Sequence, residues 1–114
     1  SIRGEYGVLR YLAYIKDNVN AGTLTEKLHV VPGRMTDILK SLETKGFIKR
    51  FKDDKDKRRV NVCITEKGKI EAAEKRNYIT DEYEGLFEIL GKNDTKELIR
   101  LLRIVLSYSD NIEI

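Results

Sequence analysis

One stretch restricts this chain more than any other: residues 30–65, VVPGRMTDILKSLETKGFIKR followed by FKDDKDKRRVNVCIT. Pro32 suits the first position of a helix, where its missing N–H has no partner to lose. The residue before a proline is pushed out of the α region, so the boundary falls at Val31. Gly46 suits the left-handed residue just past the other end. Between them Met35, Ile38, Leu39 and Leu42 recur at helical spacing and define one apolar face. The opposite face carries Gly33, Asp37, Lys40 and Thr44, flanked by Arg34, Thr36 and Ser41, and holds no large apolar residue.

Such a face has two readings. It suits the solvated side of a core helix, and it equally suits a helix that enters a DNA major groove N-terminus first. Side chains of the first turns reach deepest in that geometry. Together with Pro32 and Gly33 at the helix start, they are Arg34, Thr36, Asp37 and Lys40. Arginine forks onto guanine, threonine meets a thymine methyl, and a carboxylate accepts from cytosine. Free N–H groups near Gly33 and Arg34 offer a phosphate seat. Asp37 repels phosphate, so its other expected role is to orient Arg34 or Lys40.

The next residues weigh toward the second reading. Residues 47–53 and 59–65 are short β-capable runs, and the latter alternates Val60, Val62 and Ile64 against Asn61 and Cys63. The linker between them, residues 53–58, is too polar to bury. A hairpin tip bearing Lys57, Arg58 and Arg59 reaches a phosphate backbone or a minor groove, where arginine is favoured.

Upstream, residues 1–4 read as an end piece and Glu5–Asp17 as a first helix, with Val8, Leu9, Leu12 and Ile15 apolar and Tyr11 on the edge. Residues 18–20 read as a turn, and Asn20 is a good N-cap for a short helix Ala21–Leu28 packed through Leu24 and Leu28. His29 and Val30 form the next turn. Helix, short helix, turn, helix and hairpin make a winged helix-turn-helix. The predicted class is therefore mainly α with a small β-hairpin wing (α+β), followed by long C-terminal helices.

Downstream, Thr65 caps a helix running to about Leu90, with Ile70, Ala73, Tyr83, Leu86, Phe87 and Leu90 as its apolar residues and a polar middle at residues 74–77. Residues 91–93 break it, and Asp94 with Glu97 reads as a capping box for the last helix. That helix carries Leu98, Ile99, Leu101, Leu102, Ile104, Val105, Leu106 and Tyr108, too many apolar residues for a one-sided stripe. It is either the centre of a monomer core or a dimer interface. The small size of the chain favours the interface, with Leu98, Leu101, Leu102, Val105 and Tyr108 as its residues. The division is residues 1–69 for DNA binding and 70–114 for dimerisation, within one compact domain.

The run from Leu24 to Lys69 resembles the MarR family of transcriptional regulators. The matching residues are Leu24 and Leu28, then Leu42-Glu43-x-x-Gly46-Phe47-Ile48-x-Arg50, then Asp56-Lys57-Arg58, then Val62-x-Ile64-Thr65-Glu66-Lys67-Gly68. The last two pieces are similar to the family's D-x-R … L-T-x-x-G signature. The resemblance implies Arg58 as a minor-groove contact and Asp56 as its support. It also implies a homodimer whose terminal helices interlock, a pseudo-palindromic double-stranded DNA site, repression, and a small aromatic ligand. Tyr11, Tyr14 and Phe87 are the ligand candidates by position. The chain departs from the family at Val31, where a serine or threonine cap is usual, and at Pro32, Gly33 and Arg34, where small polar residues are usual. The family's additional helix ahead of the first one has no counterpart in the reading of residues 1–17.

Charge distribution agrees with a polyanion partner. The net charge of +3 conceals +5 over residues 32–59 and −4 over residues 80–114. No apolar run approaches the roughly 20 residues that span a membrane, the start carries no signal-peptide pattern, and a single cysteine fits a reducing cytoplasm. Cys63 is expected to be a partly buried small hydrophobe, and lone His29 a surface or capping residue. No catalytic arrangement, phosphate loop or metal cluster is visible, so the expectation is a cytoplasmic regulator with no cofactor and no enzymatic activity. The alternative is a winged-helix module that binds protein instead of DNA.

Overall fold

The computed structural model describes residues 2–110, with side chains over residues 4–108. It divides into two compact units, one up to Arg76 and one from Asn77 onward. The first opens with a π-helical turn, Ile2–Tyr6, that leads into helix α1, Gly7–Tyr14. Strand β1 (Val19–Asn20), helix α2 (Ala21–Leu28), helix α3 (Pro32–Thr44) and strands β2 (Ile48–Lys52) and β3 (Val60–Ile64) follow. Helix α4, Glu66–Asp110, begins in this unit and is interrupted at Gly91.

The sheet is antiparallel in the order β1-β3-β2, with Val19 opposite Val62 and Ile48 opposite Ile64. Its inner residues close one core with the helices: Val8, Leu9 and Leu12 of α1, Leu24 of α2, all four apolar residues of α3, then Ile48, Val62, Ile64 and Ala72. The periodicity of α3 is realised without exception, and its ends fall at Val31, extended, and at Gly46, with φ 81°. The hairpin strands are each a residue shorter at both ends than the β-capable runs.

Several expectations are corrected. Helix α1 stops at Tyr14, leaving Ile15 exposed, and residues 15–18 form the turn that leads into β1. The Asp17 carboxylate accepts from the Asn18 N–H at 2.8 Å and the Ile64 N–H at 2.9 Å. Tyr11, expected at the edge, is core. The turn expected over residues 18–20 contains β1, a strand too short to carry a readable alternation. Asn18 does turn the chain, in the left-handed region at φ 53°.

At the start of α4, Gly68 and Ala72 face inward instead of Ile70 and Ala73, which are exposed. Small residues win there because the helix passes very close to the wing root. A Cβ on Gly68 would lie 2.1 Å from the Phe47 carbonyl oxygen. Thr65 ties the same point. Its hydroxyl donates to the Gly46 carbonyl (2.6 Å), its N–H donates to the Phe47 carbonyl (3.0 Å), and its Oγ1 accepts from the Gly68 N–H (3.1 Å).

In the second unit the break expected over residues 91–93 is one residue, Gly91, with φ 77° and ψ 173°. The helix resumes at once, so Asp94 lies within it and caps nothing; the Glu97 carboxylate instead accepts from Arg100. The apolar residues 99–108 are exposed, and Leu98 is half-buried. No helix among the described residues is long and apolar enough to cross a membrane.

Candidate nucleic-acid interface

Helix α3 and the hairpin carry the candidate interface, and α2 packs against α3. The Asn20 side chain accepts from the Thr23 N–H at 2.8 Å, an N-cap contact worth about 1 kcal/mol. Leu24 is wholly buried. At the far end His29 adopts φ 53°, in the left-handed region that histidine enters more readily than most non-glycine residues, and this reverses the chain toward α3. His29 is thus a capping residue with an exposed side chain.

The start of α3 is open. Val31 offers no side-chain acceptor to the first-turn N–H groups, and a Cβ on Gly33 would meet nothing within 4 Å. Orphan N–H groups at a helix start, with the positive end of its dipole, attract an anion. Pro32, Gly33, Arg34, Thr36, Asp37 and Lys40 are all exposed. Among the described residues, Arg34 and Lys40 form no ion pair, and Asp37 contacts neither of them, so its orienting role is absent here. The Thr36 hydroxyl donates to the Pro32 carbonyl at 3.1 Å, leaving its methyl as the uncommitted group.

Ser41 does not belong to this face. It is half-buried and donates to the Glu5 carboxylate at 3.0 Å, which also accepts from Lys45 at 2.8 Å. The Lys45 hydrogen bond, backed by that of Ser41 against the cost of burial, holds the Glu5 carboxyl below its ordinary value. This latch from the chain start to α3 is legible only in three dimensions.

The wing tip is held by two carboxylates. Asp53 accepts from the Lys55 N–H (2.8 Å), the Asp56 N–H (3.4 Å) and the Asn61 amide (3.3 Å), which lowers its pKa, the Lys55 bond most. Asp56 accepts from both the backbone N–H (3.1 Å) and the Nε (3.3 Å) of Arg58. Its other oxygen lies 3.8 Å from the Arg59 Nε. The Arg58 side chain stays 92% exposed, so Asp56 fixes its base while the guanidinium remains in solvent. Lys57 is exposed beside it. Asp53 was not among the sequence candidates, although an Asp at the start of a polar linker is a readable turn signal.

Two further contacts join wing and helix. Glu43, in the last turn of α3, accepts from the Arg50 guanidinium at 2.9 Å and from the Arg50 backbone N–H at 3.2 Å. Lys67 donates to the Lys45 carbonyl at 2.9 Å and sits 5.4 Å from the Phe47 ring centre.

The ligand candidates have separate surroundings. Tyr11 is core and lines an open groove with Lys16, Asn18, Asn20, Thr23 and Asn61. Tyr14 lies under the Arg76 guanidinium at 5.1 Å, and Phe87, in the second unit, stacks on Tyr83 with centroids 6.2 Å apart. Cys63 is half-buried, as expected of a small hydrophobe. Among the described residues no group of three or more His, Cys, Asp or Glu side chains is gathered to hold a metal ion.

Comparison with known proteins follows the same outline. The model of the MarR family matches residues 3–60. The chain is similar to the HTH-type transcriptional regulator SarZ of Staphylococcus epidermidis, at 28% identity over 108 residues, covering 87% of this chain and 70% of that protein. Its structure is similar to that of a MarR transcriptional regulator from Methanosarcina mazei (TM-score 0.85, 26% identity), over 96% of this chain and 78% of that one. It also shares the fold of Streptococcus pneumoniae FabT, solved in complex with DNA, at a TM-score of 0.80 and 19% identity over 96% of this chain and 76% of that one.

Proposed function

Since the chain belongs to the MarR family, we propose that it is a sequence-specific double-stranded-DNA-binding transcriptional regulator, a cytoplasmic homodimer that represses its target genes and is not an enzyme. One observation carries this reading. Helix α3 leaves Arg34 and Lys40 exposed and unpaired among the described residues, beside an uncapped N-terminus, while Asp56 fixes the base of an exposed Arg58 on the wing. Exposed cations on two projecting elements suit a polyanion.

In the proposed complex the start of α3 enters a major groove. Its free N–H groups near Gly33 donate to a phosphate, Arg34 forks onto guanine, Thr36 offers its methyl to thymine, and Asp37 accepts from a cytosine amino group. Lys40 meets the backbone. The wing lies along the adjacent phosphates, with Lys57 and Arg59 on the backbone and Arg58 in the minor groove. The exposed Leu101, Leu102, Val105 and Tyr108, with half-buried Leu98, meet their equivalents in a second copy. Two-fold symmetry then asks for a pseudo-palindromic site. Ligand control, through a small aromatic molecule, is the extension that family resemblance adds.

The test is fluorescence anisotropy with random-sequence duplex and with single-stranded DNA at two salt concentrations. Duplex binding that weakens steeply with salt is expected, because neutralised phosphates release counterions. Absence of duplex binding at low salt by a sample of dimeric mass overturns the reading.

A further inference from the structure

Recognition by helix and wing together requires that the two elements keep a fixed separation and angle. The wing root is pinned to the start of α4 by Thr65 and by the close approach of Gly68. Beyond the root, β2 is an edge strand: in the order β1-β3-β2 it has a partner on one side only. An edge strand with a seven-residue tip, residues 53–59, is free to pivot unless something holds its open edge.

Glu43 holds it. Its two oxygens divide between the Arg50 guanidinium (Oε1, 2.9 Å) and the Arg50 backbone N–H (Oε2, 3.2 Å). Arg50 is the middle residue of β2 and pairs with wholly buried Val62 in β3. The backbone bond distinguishes this contact from an ordinary surface ion pair, which fixes little. It ties one specific residue of the strand to one specific residue of the helix. The guanidinium bond adds a second point of attachment, so the link resists rotation as well as translation. The Arg50 side chain is only 26% exposed, against 92% for the projecting Arg58.

We infer that the Glu43–Arg50 pair is a positioning device that sets the wing relative to the recognition helix, so that Arg34 in the major groove and Arg58 in the minor groove engage one DNA site together. This role needs no contact of either residue with DNA. The role rests on the regulator reading above. It assigns to Glu43, a carboxylate inside a basic region, a positive contribution to binding a polyanion. Simple charge arithmetic gives the opposite sign: removing an acidic residue near phosphate strengthens binding.

The test is a double-mutant cycle on DNA affinity. Glu43→Gln keeps the size of the side chain and one carbonyl acceptor but removes the charge that pairs with Arg50. Affinity is measured for duplex DNA carrying a site selected from a random pool, in the wild-type and Arg58→Ala backgrounds, at a temperature where circular dichroism shows every variant folded. Glu43→Gln is expected to lower affinity by about 10-fold in the wild-type background and by less than about 2-fold with Arg58 absent, because coupled residues give non-additive effects. Arg50→Lys retains charge and backbone N–H but loses the planar fork, and falls between the two. An equal loss in both backgrounds, or an affinity raised by Glu43→Gln, overturns the positioning role. Wild-type protein that binds no duplex overturns the regulator reading itself, and the role of the pair with it.

Discussion

Replacing Gly68 with alanine isolates the joint on which the wing is mounted. An added Cβ would stand 2.1 Å from the Phe47 carbonyl oxygen, 2.7 Å from Ile64 Cγ1 and 3.0 Å from the Phe47 carbonyl carbon. A carbon normally keeps about 3.3 Å from a carbonyl oxygen, so the overlap exceeds 1 Å against a backbone atom. That atom is not free to withdraw, since it accepts the Thr65 N–H at 3.0 Å and the adjoining Gly46 carbonyl holds the Thr65 hydroxyl at 2.6 Å. Overpacking costs about 1–3 kcal/mol, and loosening one backbone hydrogen bond adds about 1 kcal/mol. Alanine's better helix propensity returns about 1 kcal/mol. The net loss is about 2 kcal/mol, which at this chain length lowers the melting temperature by about 8 °C. Thermal unfolding followed by far-ultraviolet circular dichroism reads it directly. Gly85→Ala is the control: Gly85 lies in α4, exposed, with nothing within 4 Å of a built Cβ, so the same change is neutral or stabilising there. Gly68→Ala protein that melts at or above the wild-type temperature would refute the reasoning.

Other outcomes follow from the same geometry. Arg58→Ala should weaken binding across duplex sequences and flatten its salt dependence, whereas Arg34→Ala should relax preference at particular bases by about 1–3 kcal/mol; equal effects on random and selected DNA would contradict this division. Asn20→Ala should cost about 1 kcal/mol of stability through loss of the α2 cap, read by urea titration. Glu5 has its pKa lowered in the folded chain, so its contribution is present above the unfolded value near 4.5 and is lost as pH falls through the lower folded value. The stability gap between wild type and Glu5→Gln should therefore be constant near neutrality and close on acidification; a gap that widens in acid would show the sign to be wrong. Leu102→Glu, placing a charge among the exposed apolar residues of the last helix, should convert a dimer to a monomer by light scattering; an unchanged mass would place the interface elsewhere.

What the sequence made legible was local. Pro32, Gly46 and the spacing of Met35, Ile38, Leu39 and Leu42 fix α3 because each acts within a few residues of itself. Alternation at Val60, Val62 and Ile64 gives β3, and basic residues at a polar tip give the wing. Exposure of all six α3 candidates follows from helical periodicity alone. What escaped was non-local. Two-residue β1 exists only because β3 is there to pair with it, and α1 ends early because Asp17 caps a strand 47 residues away. Gly68 and Ala72 beat Ile70 for the inward face because proximity to Phe47 excludes bulk, which no periodicity reveals. The latch from Glu5 joins residues whose types are unremarkable in sequence, and the pairing of Glu43 with Arg50 is not visible in the pattern that contains both. Asp94 and Glu97 show the converse: a capping pattern stays silent when the preceding helix breaks at one glycine and resumes three residues too early.

In the proposed complex two copies of this chain read one DNA sequence. Selection of bound duplexes from a random pool, followed by sequencing, tests it most directly. The expected result is an enriched pseudo-palindrome whose half-sites lie about one helical turn apart. A pool that is retained without enrichment of any sequence, or one in which single strands outcompete duplex, would contradict it.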